Sequence, residues 1–262
     1  MVPLGSIAPI VGDALIATED ERFRSNSGID VIGLMRALPY DITHLSLAQG
    51  GSTLTEQLAK NLWLGGNDER VGSKLKDMAL ALKLDRSYSK DEILAAYLNT
   101  AYFGQGAYGI AAASRRYFAV APAALSAVQA TVLVGLVQAP TSDDPYTHPA
   151  AARQRQISVL RSLVRVGKLR LARAERLLAE PLRLGDGRTV PGVTGVDLSA
   201  GPAVVWTGIV LALLAAFAGL GAYAVRRRAR SNHPLVAGLA TVCTVGLVAT
   251  ALVIAVRSLR VI

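Results

Sequence analysis

At 262 residues, with 28 Lys and Arg against 19 Asp and Glu and 52% hydrophobic side chains, the chain has room for one sizeable domain and more. Its mean hydropathy of +0.37 is too high for an ordinary soluble domain. Six arginines and no acid lie in residues 201–262, so most of the net charge of +9 flanks apolar runs and does not mark a nucleic-acid binder; the single cysteine excludes an intramolecular disulfide.

Taken in order, the chain opens on Pro3 and Pro9, which predict an extended start. The apolar run Ala14–Ala17 then delivers Glu19 and Asp20 to a helix or loop edge, where Asp20 can orient Glu19 or pair with Arg22 or Arg24. Residues 25–28 form a turn cluster. Asp30 can cap a short helix through Val31, Leu34, Met35 and Leu38, and residues 39–49 read as loop. Ser52 or Thr53 is the N-cap of a helix reaching about Leu62, with Leu54, Leu58 and Leu62 as its core face and Gln57, Lys60 and Asn61 on another. After a Gly65-Gly-Asn loop, a helix over about 69–86 turns Val71, Leu75, Met78 and Leu82 inward and Ser73, Lys74 and Asp77 to a polar face. Ser89 and Glu92 form a capping box into the next helix. A glycine-rich corner covers 103–109, and helices follow near 110–117, 122–138, 150–166 and 170–180. The basic stretch from Arg153 to Arg176, with eight basic residues and one acid, is a face suited to anionic headgroups or to plain solvation. No strand pattern of any length appears, so the domain is expected to be mainly α.

Residues 203–225 and 235–256 are uncharged and each long enough for a transmembrane helix. Arg226–Arg230 between them is a positive-inside signal; it puts a loop at 226–234 in the cytoplasm, the N-terminal domain on the extracytoplasmic face and a tail at 257–262. Residues 184–202 are expected to be a linker. Residues 1–12 lack a basic n-region and do not read as a secretory signal, so an anchor upstream of residue 1 is expected.

The chemistry starts from Glu19. A carboxylate at the end of an apolar run tends towards a raised pKa, which suits a general base near neutral pH. Gly50-Gly51 before Ser52 and Thr53 at a helix N-terminus offers N–H groups and hydroxyls to an anion, with Lys60 adding charge. Lys74 can bind phosphate, and Asp77 can do so through a divalent ion. Read singly, these fit equally a surface acid, a turn and a solvated ion pair. In order they carry a resemblance. Glu19-Asp-x-x-Phe23, Gly28-Ile-Asp30, Gly50 to Asn61, Lys74-Leu-Lys-Asp77, Lys90 to Asn99 and Gly104 to Ile110, with Leu136-Val-Gln-Ala-Pro140 and Asp144-Pro145, closely resemble the successive motifs of family 51 glycosyltransferases. These are the peptidoglycan polymerase domains of class A penicillin-binding proteins and of monofunctional transglycosylases.

The resemblance covers about residues 2–183 and implies a lysozyme-like helical domain over 1–183. It also implies a bacterial enzyme that polymerises lipid II on a lipid-linked glycan at the cell membrane. By that match Glu19 is the general base. Asp77 stands for the family's second acid, near the pyrophosphate or a divalent cation (Mg or Mn), and Lys60 and Lys74 clamp the pyrophosphate. Asp20, Ser52, Thr53, Gln57 and Asn61 line the site; other cell-wall synthesis proteins are further expected partners. Departures are Asn26 for a usual histidine, Glu56 for a common glutamine, Ser73 for a usual arginine and Asp77 for a glutamate; Arg70 can stand in for the lost guanidinium. The other readings are a non-catalytic lipid II-binding scaffold and a glycan-cleaving enzyme of the same fold.

Overall fold

Two short helices of nearly unbroken apolar sequence lie at the centre of the domain, and amphipathic helices cover them. The computed structural model describes residues 1–31, 52–63 and 71–199. The chain divides into two units, Met1–Ser199 and Ala200–Ile262, the second lying outside the described residues. Among the described residues the α-helices are α1 (Pro9–Glu19), α2 (Leu54–Trp63), α3 (Val71–Ser87), α4 (Lys90–Thr100), α5 (Ile110–Phe118), α6 (Ala127–Leu136), α7 (Pro149–Arg165) and α8 (Leu171–Ala179). Strands β1 (Leu182–Arg183) and β2 (Thr189–Val190) pair antiparallel, Leu182 opposite Val190. The domain is mainly helical, as expected from the sequence.

Helices α1 and α6 are apolar over most of their surface and so belong largely to the interior. Val11, Ala14, Leu15 and Ala17 of α1 are buried, as are all residues of α6 from Ala130 to Leu136. Both α6 and α7 pack on α1, while α2 lies between α3 and α4. The capping box at Ser89 and Glu92 is present.

Several expectations change. The start is not extended: Leu4–Ser6 is a 3-10 turn, and Pro9 is the first residue of α1, where a missing N–H costs nothing. Ala14–Ala17 is therefore helix. The helix expected over 122–138 splits, because Pro122 opens a separate 3-10 turn and Ser126 with Gln129 caps α6 anew. On α2, Leu54 and Leu58 are buried but Leu62 is 46% exposed; steps of four residues each overshoot a turn by about 40°, and two steps carry the side chain off the core face. On α3, Leu75 is 65% exposed, and Asp77, Ala81 and Leu84 form the buried face instead. The backbone of that face leaves room only for a glycine opposite it: Gly28, at φ 87°, rests against the Ala81 carbonyl, where a Cβ on the glycine would stand 2.6 Å from the oxygen.

The stretch expected to be a linker from 184 is part of the domain up to 199. Leu184, Val190 and Leu198 are buried with the core. Its anchor is Arg153, also buried, whose guanidinium donates to Glu180 O at 2.9 Å, Val190 O at 3.0 Å and Gln156 Oε1 at 2.7 Å. Arg161 donates to Asp197 O at 2.8 Å and Lys168 pairs with Asp13. Much of the basic stretch read as a headgroup-facing surface thus binds the protein itself. Among the described residues no helix is long and apolar enough to cross a membrane; the two apolar runs and the basic loop between them lie outside those residues, as do the helix after Val31, the loop over 39–49 and the Gly65-Gly-Asn loop.

Replacing Arg153 with Leu would strand the buried carbonyl of Val190 and leave that of Glu180 without its donor. The cost expected is about 2–4 kcal/mol, read as a lower urea midpoint.

Candidate active site

The site begins where α1 stops. Asp20 is the C-cap, its N–H bonded to Ile16 O at 3.1 Å, and its side chain turns into the start of α2. There Oδ2 accepts from Leu54 N at 3.1 Å, one of the N–H groups that a helix start leaves without a helical partner. Asn26 Nδ2 donates to both carboxylate oxygens, at 3.0 and 3.1 Å. Asn26 Oδ1 in turn accepts from Gly28 N and from Lys90 Nζ at 3.0 Å. Thr53 is the N-cap: its hydroxyl accepts from Glu56 N at 3.0 Å and donates to Gly28 O at 2.6 Å. Asp20 is only 5% exposed. Burial pushes its carboxyl up to about 6, against the lowering pull of the Leu54 and Asn26 bonds.

This joint sets two side chains next to each other. Gln57, one turn into α2, donates through Nε2 to Glu19 Oε2 at 3.3 Å. Its amide oxygen accepts from the hydroxyl of Tyr97 on α4 at 2.7 Å. Tyr97 is 1% exposed; burial first, and the Glu19 charge second, push its hydroxyl above the usual range, so it stays a donor. A donor on the oxygen side leaves the N–H₂ side of Gln57 for Glu19. The other carboxylate oxygen, Oε1, has Arg155 Nη2 of α7 at 3.8 Å. Glu19 is half-buried, between a neutral amide and a guanidinium. Such a carboxylate can accept a proton from an incoming hydroxyl, and its neighbours hold its direction.

The other expected site residues are placed unevenly. Lys60 and Asn61 lie three and four residues beyond Gln57, on that side of α2, half-buried and exposed respectively. Ser52 is half-buried just ahead of the cap. Thr53 is 1% exposed, with its hydroxyl engaged in the cap, so it builds the helix start rather than opening to solvent. Glu56, expected beside the anion cradle, is buried. Asp77 is 7% exposed on the inner face of α3, not on a polar outer face. The side chains of Ser73 and Lys74 and the residues Gly50, Gly51 and Arg70 lie outside those described. Asp20 does not pair with Arg22 or Arg24, which bind Asp30 and Asp91. Among the described residues no three His, Cys, Asp or Glu side chains gather at one point.

Three contributors escaped the sequence reading: Tyr97, Arg155 and Lys90. Tyr97 had a signal, since a tyrosine on the core side of a helix needs a partner for its hydroxyl. Arg155 had none, as it sits among seven other basic residues of one stretch.

A family model described as transglycosylase matches residues 1–164. A Cupriavidus necator protein provisionally named a transglycosylase is 40% identical over 185 residues, which cover 70% of this chain and 78% of that protein. Penicillin-binding protein 2D of Bacillus subtilis is 36% identical over 181 residues, covering 69% of this chain and 26% of the relative. The match therefore spans about a quarter of that relative's length. A solved structure, penicillin-binding protein 1A of Haemophilus influenzae, overlays 50% of this chain and 16% of its own at 19% identity and a TM-score of 0.33, too loosely to bear on the fold.

The raised carboxyl of Asp20 links stability to pH. A folded value of about 6 against 3.8 means that Asp20 favours the fold below pH ~4 and that this gain is lost as pH rises through 6. Urea unfolding between pH 4 and 8 should show the wild type losing about 2–3 kcal/mol relative to Asp20→Asn. A constant difference between the two proteins would contradict the burial argument.

Proposed function

The chain belongs to the transglycosylase family and is a peptidoglycan glycosyltransferase, and from that premise we propose that it polymerises lipid II with Glu19 as the general base. One observation carries this reading: the carboxylate that matches the family's first motif is the one that accepts from Gln57, itself fixed by Tyr97, and faces Arg155 at the end of an interior helix.

In the proposed reaction the 4-hydroxyl of the acceptor sugar attacks the anomeric carbon of the growing glycan. Glu19 takes the hydroxyl proton as the new C–O bond forms. The bond to the pyrophosphate breaks on the opposite face, and the leaving oxygen keeps the electron pair, so an α-linked donor gives a β-1,4 link. Pyrophosphate is a weak base and needs charge neutralisation more than a general acid. Lys60, on the Gln57 side of α2, supplies part of that charge, and Lys74 on α3 supplies the rest by its match to the family. Ser52, Gln57 and Asn61 line the donor side, and Asp20 positions them by fixing the start of α2. Asp77 is the second acid, holding the α2–α3 side of the site in shape. Arg70 takes the place of the arginine missing at Ser73.

The same reading places the enzyme in a bacterial membrane. Residues 203–225 and 235–256 anchor it, and the domain faces the extracytoplasmic side where lipid-linked glycan is consumed. Lipid II, the lipid-linked glycan and neighbouring cell-wall synthesis proteins are its partners.

With purified protein and lipid II, Glu19→Gln should lower polymer formation by roughly 10²–10⁴-fold, the usual worth of a general base, while the melting temperature stays within a few degrees. Polymer at the wild-type rate from this variant would refute the assignment. Shortening of preformed glycan instead of growth would turn the reading to a glycan-cleaving enzyme.

A further inference from the structure

The amide of Gln57 has two ways to lie, and only one of them serves Glu19. As it lies, Nε2 donates to Glu19 Oε2 at 3.3 Å while Oε1 accepts from the Tyr97 hydroxyl at 2.7 Å. Turned over, its oxygen would stand against the carboxylate, lone pair against lone pair, and its N–H₂ would face the hydroxyl. Shape does not separate the two, because the oxygen and N–H₂ ends of an amide are nearly the same size. The hydroxyl does. Tyr97 is 1% exposed, and among the described residues Gln57 Oε1 is the acceptor of its O–H. A turned-over amide would leave that proton buried without a partner, a second penalty on top of the first.

Tyr97 can impose the choice because it is fixed and Gln57 is not. The tyrosine belongs to α4, whose start is closed by the Ser89–Glu92 capping box, and Ile93, Leu94 and Leu98 of the same helix are buried with it. Gln57 is half-buried in the first turns of α2, on the side of Lys60 and Asn61. Its long side chain keeps rotamer freedom unless something holds the end. Sugar hydroxyls both give and take hydrogen bonds, so a substrate at this edge could pull the amide round as easily as steady it. A buried donor behind the amide, out of the substrate's reach, removes that option.

We propose that Tyr97 is a positioning residue of the glycosyl transfer: by holding Gln57 Oε1 it keeps the amide N–H₂ on Glu19 and so fixes the direction of the base towards the acceptor hydroxyl. The inference rests on Glu19 being the base. Tyr97 keeps its own proton throughout, and its effect passes entirely through Gln57. The direction of Glu19 is thus set from α4, across α2, by two hydrogen bonds in series.

The test is a double-mutant cycle on the full chain, read as initial polymerisation rates over a range of lipid II concentrations at one pH. Tyr97→Phe keeps the ring and removes only the hydroxyl. It should lower kcat about 10-fold, the rate equivalent of one hydrogen bond, with KM changed by less than about 2-fold. Gln57→Met removes the amide and should lower kcat at least as far, with KM raised as well because Gln57 lines the donor side. In the double variant kcat should match that of Gln57→Met within about 2-fold, since a hydroxyl that acts through the amide has nothing left to hold. A further fall of about 10-fold in the double variant would mean that Tyr97 works by another route, and would overturn the proposal. So would a Tyr97→Phe protein with a lower melting temperature and an unchanged kcat, whose hydroxyl serves the core alone. Should Tyr97→Phe fail to fold, Gln57→Glu decides: with oxygen at both ends it sets an oxygen against Glu19 as the turned-over amide would, and a wild-type kcat there would overturn the proposal, a fall of about 10-fold or more support it. Activity in Glu19→Gln at the wild-type rate would instead bring down the base assignment itself, whichever way the cycle falls.

Discussion

A carboxylate that caps one helix end while closing another holds this site together. Asp20 ends α1 and at the same time accepts the first free N–H of α2, so the last side chain of α1 and the first turns of α2 cannot move apart independently. The arrangement is costly, because a charge is buried where only an amide and one N–H answer it directly. The gain is geometric. With that joint made, Glu19 and Gln57 are neighbours across 38 residues of sequence, and Tyr97 and Arg155 need only fix rotamers.

Asn26 shows how an uncharged side chain supports the joint. A histidine there would be able to carry a charge; an asparagine cannot. Its amide still divides its work between Asp20 on one side and Gly28 N–H and Lys90 on the other. Lys90 lies one bond further out, also over the Phe23 ring, and contributes only a weak counter-charge to Asp20. The high carboxyl of Asp20 follows from that indirect support together with its burial.

Helix positions and caps were legible in the sequence because they depend on short-range rules. Ser89 and Glu92 are three residues apart and satisfy each other wherever the helix packs. The order of the motifs put Glu19 and Gln57 among the expected site residues, but not the hydrogen bond that Gln57 donates to Glu19. What escaped depends on which face of a helix meets which neighbour. Leu75 and Asp77 exchanged the expected inside and outside places because the buried face of α3 runs through Ala81, a small residue that carries little weight in a hydrophobic pattern. Basic residues 153, 155 and 161 read as one surface, yet each reaches inward to a carbonyl or carboxylate made available by chain far away in sequence. The same long-range bonds explain why residues 184–199, rich in small and turn-forming types, are domain and not linker.

The central claim is that Glu19 removes the acceptor's proton. Chemical rescue tests it most directly: the Glu19→Ala variant is assayed for polymer from lipid II with and without added formate, a small carboxylate able to enter the space left by the side chain. The expected result is an inactive variant whose rate rises with formate concentration, with no such rise in the wild type. Wild-type turnover by Glu19→Ala in the absence of formate would contradict the claim.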